Sequence, residues 1–328
     1  MAASIKKIGV LTSGGDSPGM NACIRAVVRS TLASGCEAVG IQSGYEGMIE
    51  GLFRPMLHHD VSNIIQRGGT ILKTARSPRF HDPEWRAVAH AKLMGASIDA
   101  LVVIGGDGTF TGAKIFGEEY DIPIVGTAGT IDNDLYGTDY TIGYDTALNT
   151  AMEAIDKIRD TAASHNRLFF VEVMGRDAGF IAINAGIAGG AEAILIPENK
   201  TDVDALIRHL DNGHVTHSSS IVVVAEGDDQ GGAMEVARKV KEKFNKYDTR
   251  VTIIGHIQRG GAPSCADRVL ATRVGVGAVK GLLQGERGCM AGIQNMDLVF
   301  TPFEQAIKHN QEVSPAILDL ARSLNCFL

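Results

Sequence analysis

Apolar runs that lack polar alternation recur along the chain: KIGVLTS at 7–13, DALVVIGG at 99–106, IPIVGTAG at 122–129 and LFFVEVMG at 168–175. AILIPE at 193–198, SSIVVVAEG at 219–227 and VTIIGHIQ at 251–258 repeat the pattern. A strand with one wet face alternates apolar and polar residues. These runs do not, which predicts strands covered on both faces, as in parallel sheets flanked by helices. Between them lie amphipathic segments. In 143–162 the residues Tyr144, Leu148, Ala151, Met152, Ile155 and Ile158 follow a 3.6-residue spacing and share one helical face. The alternation predicts an α/β fold.

At 328 residues the chain exceeds what one core usually serves, so two doubly wound lobes with mostly parallel sheets are expected. No Pro-, Ser- or charge-rich linker separates them. The polar segment TIDNDLYGTDYTIGYD suits a first crossing, and a return near residue 259 gives lobes of 1–142 plus 259–305 and 143–258 plus 306–328.

In open parallel sheets ligands gather beyond the carboxyl ends of the strands, and nearly every run above ends in a glycine-bearing loop. In LTSGGDSPGMNACIR, Gly14 and Gly15 allow a tight turn, Ser17 is expected to cap the next helix and Pro18 to fit its first turn. Backbone N–H groups there suit a phosphate, although a ligand-free turn would look the same. In GGDGTF, Gly105, Gly106 and Gly108 let the backbone approach a polyphosphate, and Asp107 offers a hard oxygen ligand for Mg²⁺. GTIDND places two carboxylates two positions apart, one able to take a proton and the other to shape the field around the metal. VMGRDAG, VVAEG and IGHIQRGG put Arg176, Glu226, His256 and Arg259 on loops, where guanidinium groups can clamp a phosphate and Glu226 can accept sugar hydroxyls. The chain has no GxxxxGK[ST], so it is not a P-loop sequence, and without a strict GxGxxG a dinucleotide-binding fold is not supported.

A net charge of −7 and the lack of a Lys/Arg-rich run argue against nucleic acid and leave an anionic small substrate open. The five cysteines are scattered without a CxxC pair and are expected to be reduced thiols. The N-terminal stretch reads directly into a strand, and no apolar run approaches membrane length, so a cytoplasmic protein is expected.

TSGGDSPGMNA, GGDGT, GTIDND, VEVMGRDAG and GHIQRGG, in that order, resemble the bacterial ATP-dependent 6-phosphofructokinases, from Lys6 to about Asn295. The resemblance implies a phosphofructokinase-like fold and phosphoryl transfer from MgATP to the 1-hydroxyl of fructose 6-phosphate. Asp132 would be the base, Asp107 would hold Mg²⁺, and Thr130 and Arg176 would stabilise the transferring group, with Asp134 nearby. Gly15, Arg76, Gly106, Gly108, Thr109 and Gly112 match nucleotide positions. Met174, Gly175, Glu226, His256 and Arg259 match the sugar-phosphate site, together with Arg167 and Arg250, which the family supplies from a neighbouring subunit. A homotetramer follows, with a nucleotide lobe first and a sugar-phosphate lobe second. The sugar-phosphate motifs disfavour a NAD or lipid kinase, which GGDGT alone would allow.

Pyrophosphate-dependent relatives generally resemble GGDD and KTIDND, where this chain has Gly108 and Gly129. A catalytically silent regulatory subunit would have no need of Asp107, Asp132 and Arg176 together. The chain departs from the resemblance at Ser77, where an aromatic residue often meets adenine, and at His81, where an Arg is common; Tyr45 is the ring expected to compensate. Arg25, Arg29, Arg159 and Glu192 match an effector pocket, but His58 replaces an Arg and HVTHSSS a Lys-rich run. A weakened, altered or pH-sensitive effector response is expected, since histidine charge depends on pH.

Overall fold

The computed structural model describes residues 5–164, 167–211, 219–308 and 311–327. Eleven strands, eleven α-helices and two 3-10 segments occur among them. In chain order the first are β1 (Lys7–Thr12), α1 (Met20–Ala33), β2 (Glu37–Ile41), α2 (Gly44–Glu50), β3 (Phe53–Met56), α3 (Pro83–Gly95), β4 (Ala100–Gly105), α4 (Asp107–Tyr120) and β5 (Ile124–Ala128). Then come α5 (Tyr144–Ala163), β6 (Arg167–Val173), α6 (Phe180–Ala188), β7 (Ala193–Leu195), α7 (Val203–Asp211), β8 (Ser219–Ala225), α8 (Gly232–Lys243) and β9 (Asp248–Ile253). The chain closes with α9 (Cys265–Gln284), β10 (Cys289–Gln294), β11 (Asp297–Pro302), α10 (Phe303–Lys308) and α11 (Pro315–Ser323).

Six of the seven unalternating runs form the strands β1 and β4 to β8, and the amphipathic 143–162 segment is α5. The seventh, at 251–258, supplies only the last three residues of β9, an edge strand whose residues are exposed or half-buried, and then turns into a 3-10 segment over Gly255–Arg259. Four further strands, β2, β3, β10 and β11, go beyond the sequence expectation: EAVGI, FRPM, CMAGIQ and DLVFTP, of which β3 and β11 are antiparallel edge strands with mostly exposed or half-buried residues. Two compact units result. One comprises Met1–Ile131, Leu135–Thr146 and Arg259–Gln311; the other comprises Asp132–Asp134, Ala147–Gln258 and Glu312–Leu328. These divisions compare with the expected lobe boundaries at 142, 258 and 305.

In the first unit a seven-stranded sheet has the order β11-β10-β5-β4-β1-β2-β3, parallel except for its two edge strands. Val10, Val102 and Ile104 pack one face against α1 and α9, while Leu11, Leu101 and Val103 pack the other against α2, α3 and α4. Both faces are dry, which is why the strands read as continuous apolar runs. Helices α1 and α9 approach closely because Gly275 has no Cβ: one would meet Cys23 O and Ala26 Cβ at 3.0 Å. The second unit holds a parallel sheet of order β7-β8-β6-β9, with Leu168, Phe170, Val222 and Val224 packed against α7 and α8.

Asp267, 1% exposed, ties the start of α9 to the turn before α5. Gly143 N–H and Thr146 N–H each donate to its carboxylate at 2.8 Å, and so does the Thr146 hydroxyl. That hydroxyl also accepts Ser264 N–H at 2.9 Å, and Ser264 Oγ accepts Asp267 N–H at 3.1 Å, capping α9. Burial pushes the Asp267 carboxyl above the usual range against the opposing pull of these donors. The folded state therefore holds that proton more tightly than the unfolded chain, and the carboxyl's contribution to stability falls as pH rises above the ordinary aspartate range. All five cysteines are free thiols; burial pushes Cys23 and Cys289 up to about 12, while Cys265 is exposed.

Truncating Asp267 leaves buried donors without an acceptor. Asp267→Ala should lower unfolding stability by about 3 kcal/mol or more, read from urea denaturation at pH 7, whereas a loss below about 1 kcal/mol would mean that water replaces the carboxylate.

Candidate active site

Parallel pairing sets Thr12, Ile104 and Thr127 abreast on β1, β4 and β5, so three loops leave one edge of the first sheet. Backbone bonds lock them together: Ser13 N–H donates to Ile104 O and Gly129 N–H to Gly105 O, both at 3.0 Å. Thr109 is 3% exposed and its Oγ1 donates to Ser13 O at 3.1 Å, joining the second loop to the first. A Cβ at Gly105 would lie 2.3 Å from that Oγ1, so only glycine fits. The Thr130 side chain lies over Gly106, its Cβ 3.7 Å from where a Gly106 Cβ would stand. Thr74 Oγ1 donates to Gly14 O at 2.7 Å and anchors the segment carrying the exposed Arg76. The Arg259 guanidinium rests against Gly15 and donates to Asp16 O at 3.3 Å. The expected nucleotide residues Gly15, Gly106, Asp107, Gly108 and Thr109 therefore share one edge with Thr130, and Arg259 joins them.

Helices α1 and α4 both open on glycine, Gly19 and Gly106, with no side-chain cap. Their first-turn N–H groups and positive dipole ends are the features that dock anions. Ser17 does not cap a helix, contrary to expectation. Gly19, at φ 108°, turns the chain so that α1 begins only at Met20, and Ser17 Oγ is buried with no hydrogen-bond partner among the described residues. Asp107 and Gly108 are exposed in the first turn of α4. No cluster of three metal-binding side chains occurs among the described residues. One exposed carboxylate beside an anion-docking helix end still fits Mg²⁺, which keeps most of its waters and shares the ligand's phosphates.

Tyr45 does not compensate for Ser77. It is 5% exposed, stacked on Phe80 at 4.2 Å, packed against Gly112, and its hydroxyl donates to Thr109 O at 2.5 Å. It is a core ring that leaves no face for a base. Ser77 Oγ instead donates to Glu46 Oε2 at 2.6 Å, and Arg79 and Ser77 hold the Glu46 carboxyl below its usual range. A polar pair thus stands where an aromatic residue was the family expectation. His81 is exposed, and its carbonyl accepts from Arg86.

Asp132 and Asn133 are 5% and 3% exposed, and Asn133 adopts φ 55°, a tight turn that carries both carboxylates of GTIDND. In the second unit, β6, β8 and β9 end abreast, with Glu226 N–H donating to Val173 O and Ile254 N–H to Glu172 O. The turn Met174–Gly175–Arg176 is held from two sides: Met174 N–H donates to Gln258 Oε1 at 2.9 Å and Arg176 N–H to Glu226 Oε1 at 2.8 Å. Arg176 adopts φ 58°, a left-handed conformation costly for a residue with a Cβ, and the Glu226 bond supports it. Arg167 and Arg250 do not join Met174, Arg176 and Glu226. Arg167 opens β6 and lies opposite Asp248, with Arg250 opposite Phe169, at the amino ends of the strands. Seven residue steps at about 3.3 Å each separate Arg167 from Met174.

The effector candidates divide as well. Arg25 and Arg29 sit one turn apart on α1 in the first unit, and burial and then Arg29 press the Arg25 guanidinium below its usual value. Arg159, in the second unit, donates to Gly189 O and Gly190 O and so caps α6. The Glu192 carbonyl is bonded to the His209 ring at 2.9 Å. His58 is exposed, and most of HVTHSSS lies outside the described residues. The sequence reading missed Thr74, Glu46, Gln258 and Asp248. Only Asp248 left a signal, standing two positions before Arg250 on one strand face.

A profile of the family described as Phosphofructokinase matches residues 7–282. The chain is 54% identical over 323 residues to ATP-dependent 6-phosphofructokinase 2 of Bacteroides thetaiotaomicron, covering 98% of this chain and 99% of that one. It is 55% identical over 321 residues to ATP-dependent 6-phosphofructokinase 1 of Thermus thermophilus, with 98% and 99% covered. Among solved structures it is similar to phosphofructokinase from Saccharomyces cerevisiae, with a TM-score of 0.88 and 39% identity over 97% of this chain, which spans 46% of that longer one.

The two glycines that depart from the pyrophosphate pattern differ in their surroundings. A Cβ at Gly108 meets nothing within 4 Å, whereas one at Gly129 meets Ile104 Cγ2 at 2.9 Å and Met20 Cε at 3.1 Å. Gly108→Asp should leave the melting temperature unchanged or slightly raised, since an acid suits a first helical turn. Gly129→Lys should lower stability by about 2 kcal/mol through overpacking. Scanning calorimetry of both variants checks the contrast, and equal effects would refute it.

Proposed function

This chain belongs to the phosphofructokinase family, and from that premise we propose that it transfers the γ-phosphoryl group of ATP to the 1-hydroxyl of fructose 6-phosphate. The observation that carries the choice of donor is the open space at Gly108, on the exposed first turn of α4. A nucleotide α-phosphate can approach a bare backbone there. A carboxylate in that place would repel it by about 4 kcal/mol at 4 Å and an effective dielectric constant of 20.

In this reading the uncapped starts of α1 and α4, with Gly15, Arg76 and Thr109, hold the phosphates, and Gly112 and Ser77 belong to the nucleotide side. Asp107 would hold Mg²⁺, which would supply positive charge to offset that of the phosphates. Asp132 accepts the proton of the 1-hydroxyl as its oxygen bonds to the γ-phosphorus and the bond to the β–γ bridging oxygen breaks, releasing ADP. Its burial keeps water from competing for that proton. Thr130 and Arg176 donate to the transferring oxygens, and Asp134 orients the turn. The fixed 174–176 backbone, Glu226, His256 and Arg259 receive the sugar phosphate. Arg167 and Arg250 stand at the far end of their strands, which supports a site completed by a second copy, in a homotetramer with shared sites. Arg25, Arg29 and Glu192 remain effector candidates; Arg159 would have to release its carbonyls. No described helix is long and apolar enough to cross a membrane, and we propose a cytoplasmic enzyme acting on small molecules rather than nucleic acid.

Coupled assay of fructose 1,6-bisphosphate formation should give turnover with MgATP and none with pyrophosphate. Turnover with pyrophosphate alone would overturn the donor assignment, and none with either would favour a silent sugar-phosphate-binding subunit. Gly108→Asp should cut kcat/KM for ATP by about 100-fold or more. Asp132→Asn should lower kcat by about 10²- to 10⁴-fold while fructose 6-phosphate still binds by calorimetry; near-normal kcat would remove Asp132 as the base.

A further inference from the structure

One carboxylate oxygen in the second unit serves two guanidinium groups. Arg167 Nε and Arg250 Nη2 both donate to Asp248 Oδ2, at 3.2 and 2.8 Å. The strands dictate this arrangement. Arg167 on β6 lies opposite Asp248 on β9, and Arg250, two residues further along β9, shares its face. The Asp248 and Arg250 side chains are 47% and 54% exposed, and Arg167 is 26% exposed. The three groups carry a net positive charge.

Two arginine forks converging on one oxygen form a ready anion site, and here the chain supplies the occupant. Exposed pairs of this kind contribute little to stability, so a dianion able to engage both forks can displace the carboxylate. We propose that Asp248 is an internal anion that fills the Arg167–Arg250 pair in the empty protein, and that it sets the affinity for the sugar phosphate by competing with it. This rests on the function proposed above, in which both arginines receive the 6-phosphate. That phosphate is at the opposite end of the sugar from the reacting 1-hydroxyl, so the competition acts on KM and leaves kcat alone.

The test uses the full-length protein and Asp248→Asn, which keeps the shape and removes the charge. Titration calorimetry with fructose 6-phosphate, and separately with inorganic phosphate, is run beside steady-state kinetics. Asp248→Asn should bind both anions about three- to tenfold more tightly, the range that two exposed ion pairs span. KM for fructose 6-phosphate should fall in proportion, with kcat within about twofold. On an Arg250→Gln background the gain should shrink or vanish, which excludes phosphate bound elsewhere. Asp248→Ala has to act in the same direction, so the outcome does not hang on one variant. Unchanged or weaker binding in the Asn variant would overturn the proposal and make Asp248 a scaffold that aims the arginines. Should the wild-type protein fail to phosphorylate fructose 6-phosphate, the function above fails, yet the inorganic phosphate titrations still decide the role of Asp248.

Discussion

The parallel register of β1, β4 and β5 is the constraint on which the first unit depends. With Thr12, Ile104 and Thr127 abreast, the loops after them leave the sheet at one level. The backbone bonds from Ser13 to Ile104 and from Gly129 to Gly105 then fix their paths. A slip of one residue would send Leu11 and Val103 to the opposite face, into packing shaped by Val10 and Val102 against α1 and α9, so the fit of both faces holds the register and, with it, the loop ends. Thr109 finishes the assembly from inside, bonded to Ser13 O in space that a Gly105 side chain would fill.

The second unit likewise gathers polar side chains at both ends of its sheet. At the carboxyl ends of β6, β8 and β9, Gln258 and Glu226 each accept a backbone N–H and hold the Met174–Arg176 turn in a shape it would not choose alone. At the amino ends, Arg167, Arg250 and Asp248 form a cluster that has nothing to do with that turn. Within one chain, Arg167 and Arg250 are thus separated from the Met174–Arg176 turn by the length of a strand.

Much of this was legible in the chain itself. Both-face burial left unalternating Val/Ile runs, and six of the seven form a strand; the run at 251–258 gives only the end of the exposed edge strand β9 and then a 3-10 turn. Glycines marked the loops because an added Cβ at Gly105 or Gly129 would strike backbone or side-chain atoms that the fold requires. β3 and β11 were not visible, since they are antiparallel edge strands without both-face burial and take their form from neighbours already in place. Tyr45 was misread for a related reason: an aromatic residue near a nucleotide motif looks available until Phe80 and Gly112 are seen packed against it.

By itself the sequence determined the fold class, the buried strands of the unalternating runs and the residue types at their loops, because burial periodicity and glycine placement are local properties. Only the tertiary structure decided which groups are already engaged: Tyr45 in the core, Arg159 on the carbonyls after α6, Glu226 on Arg176 N–H, and Asp248 between two arginines. A side chain's chemistry depends on what surrounds it. Those partners come from strands and helices distant in the chain, where no local pattern can register them.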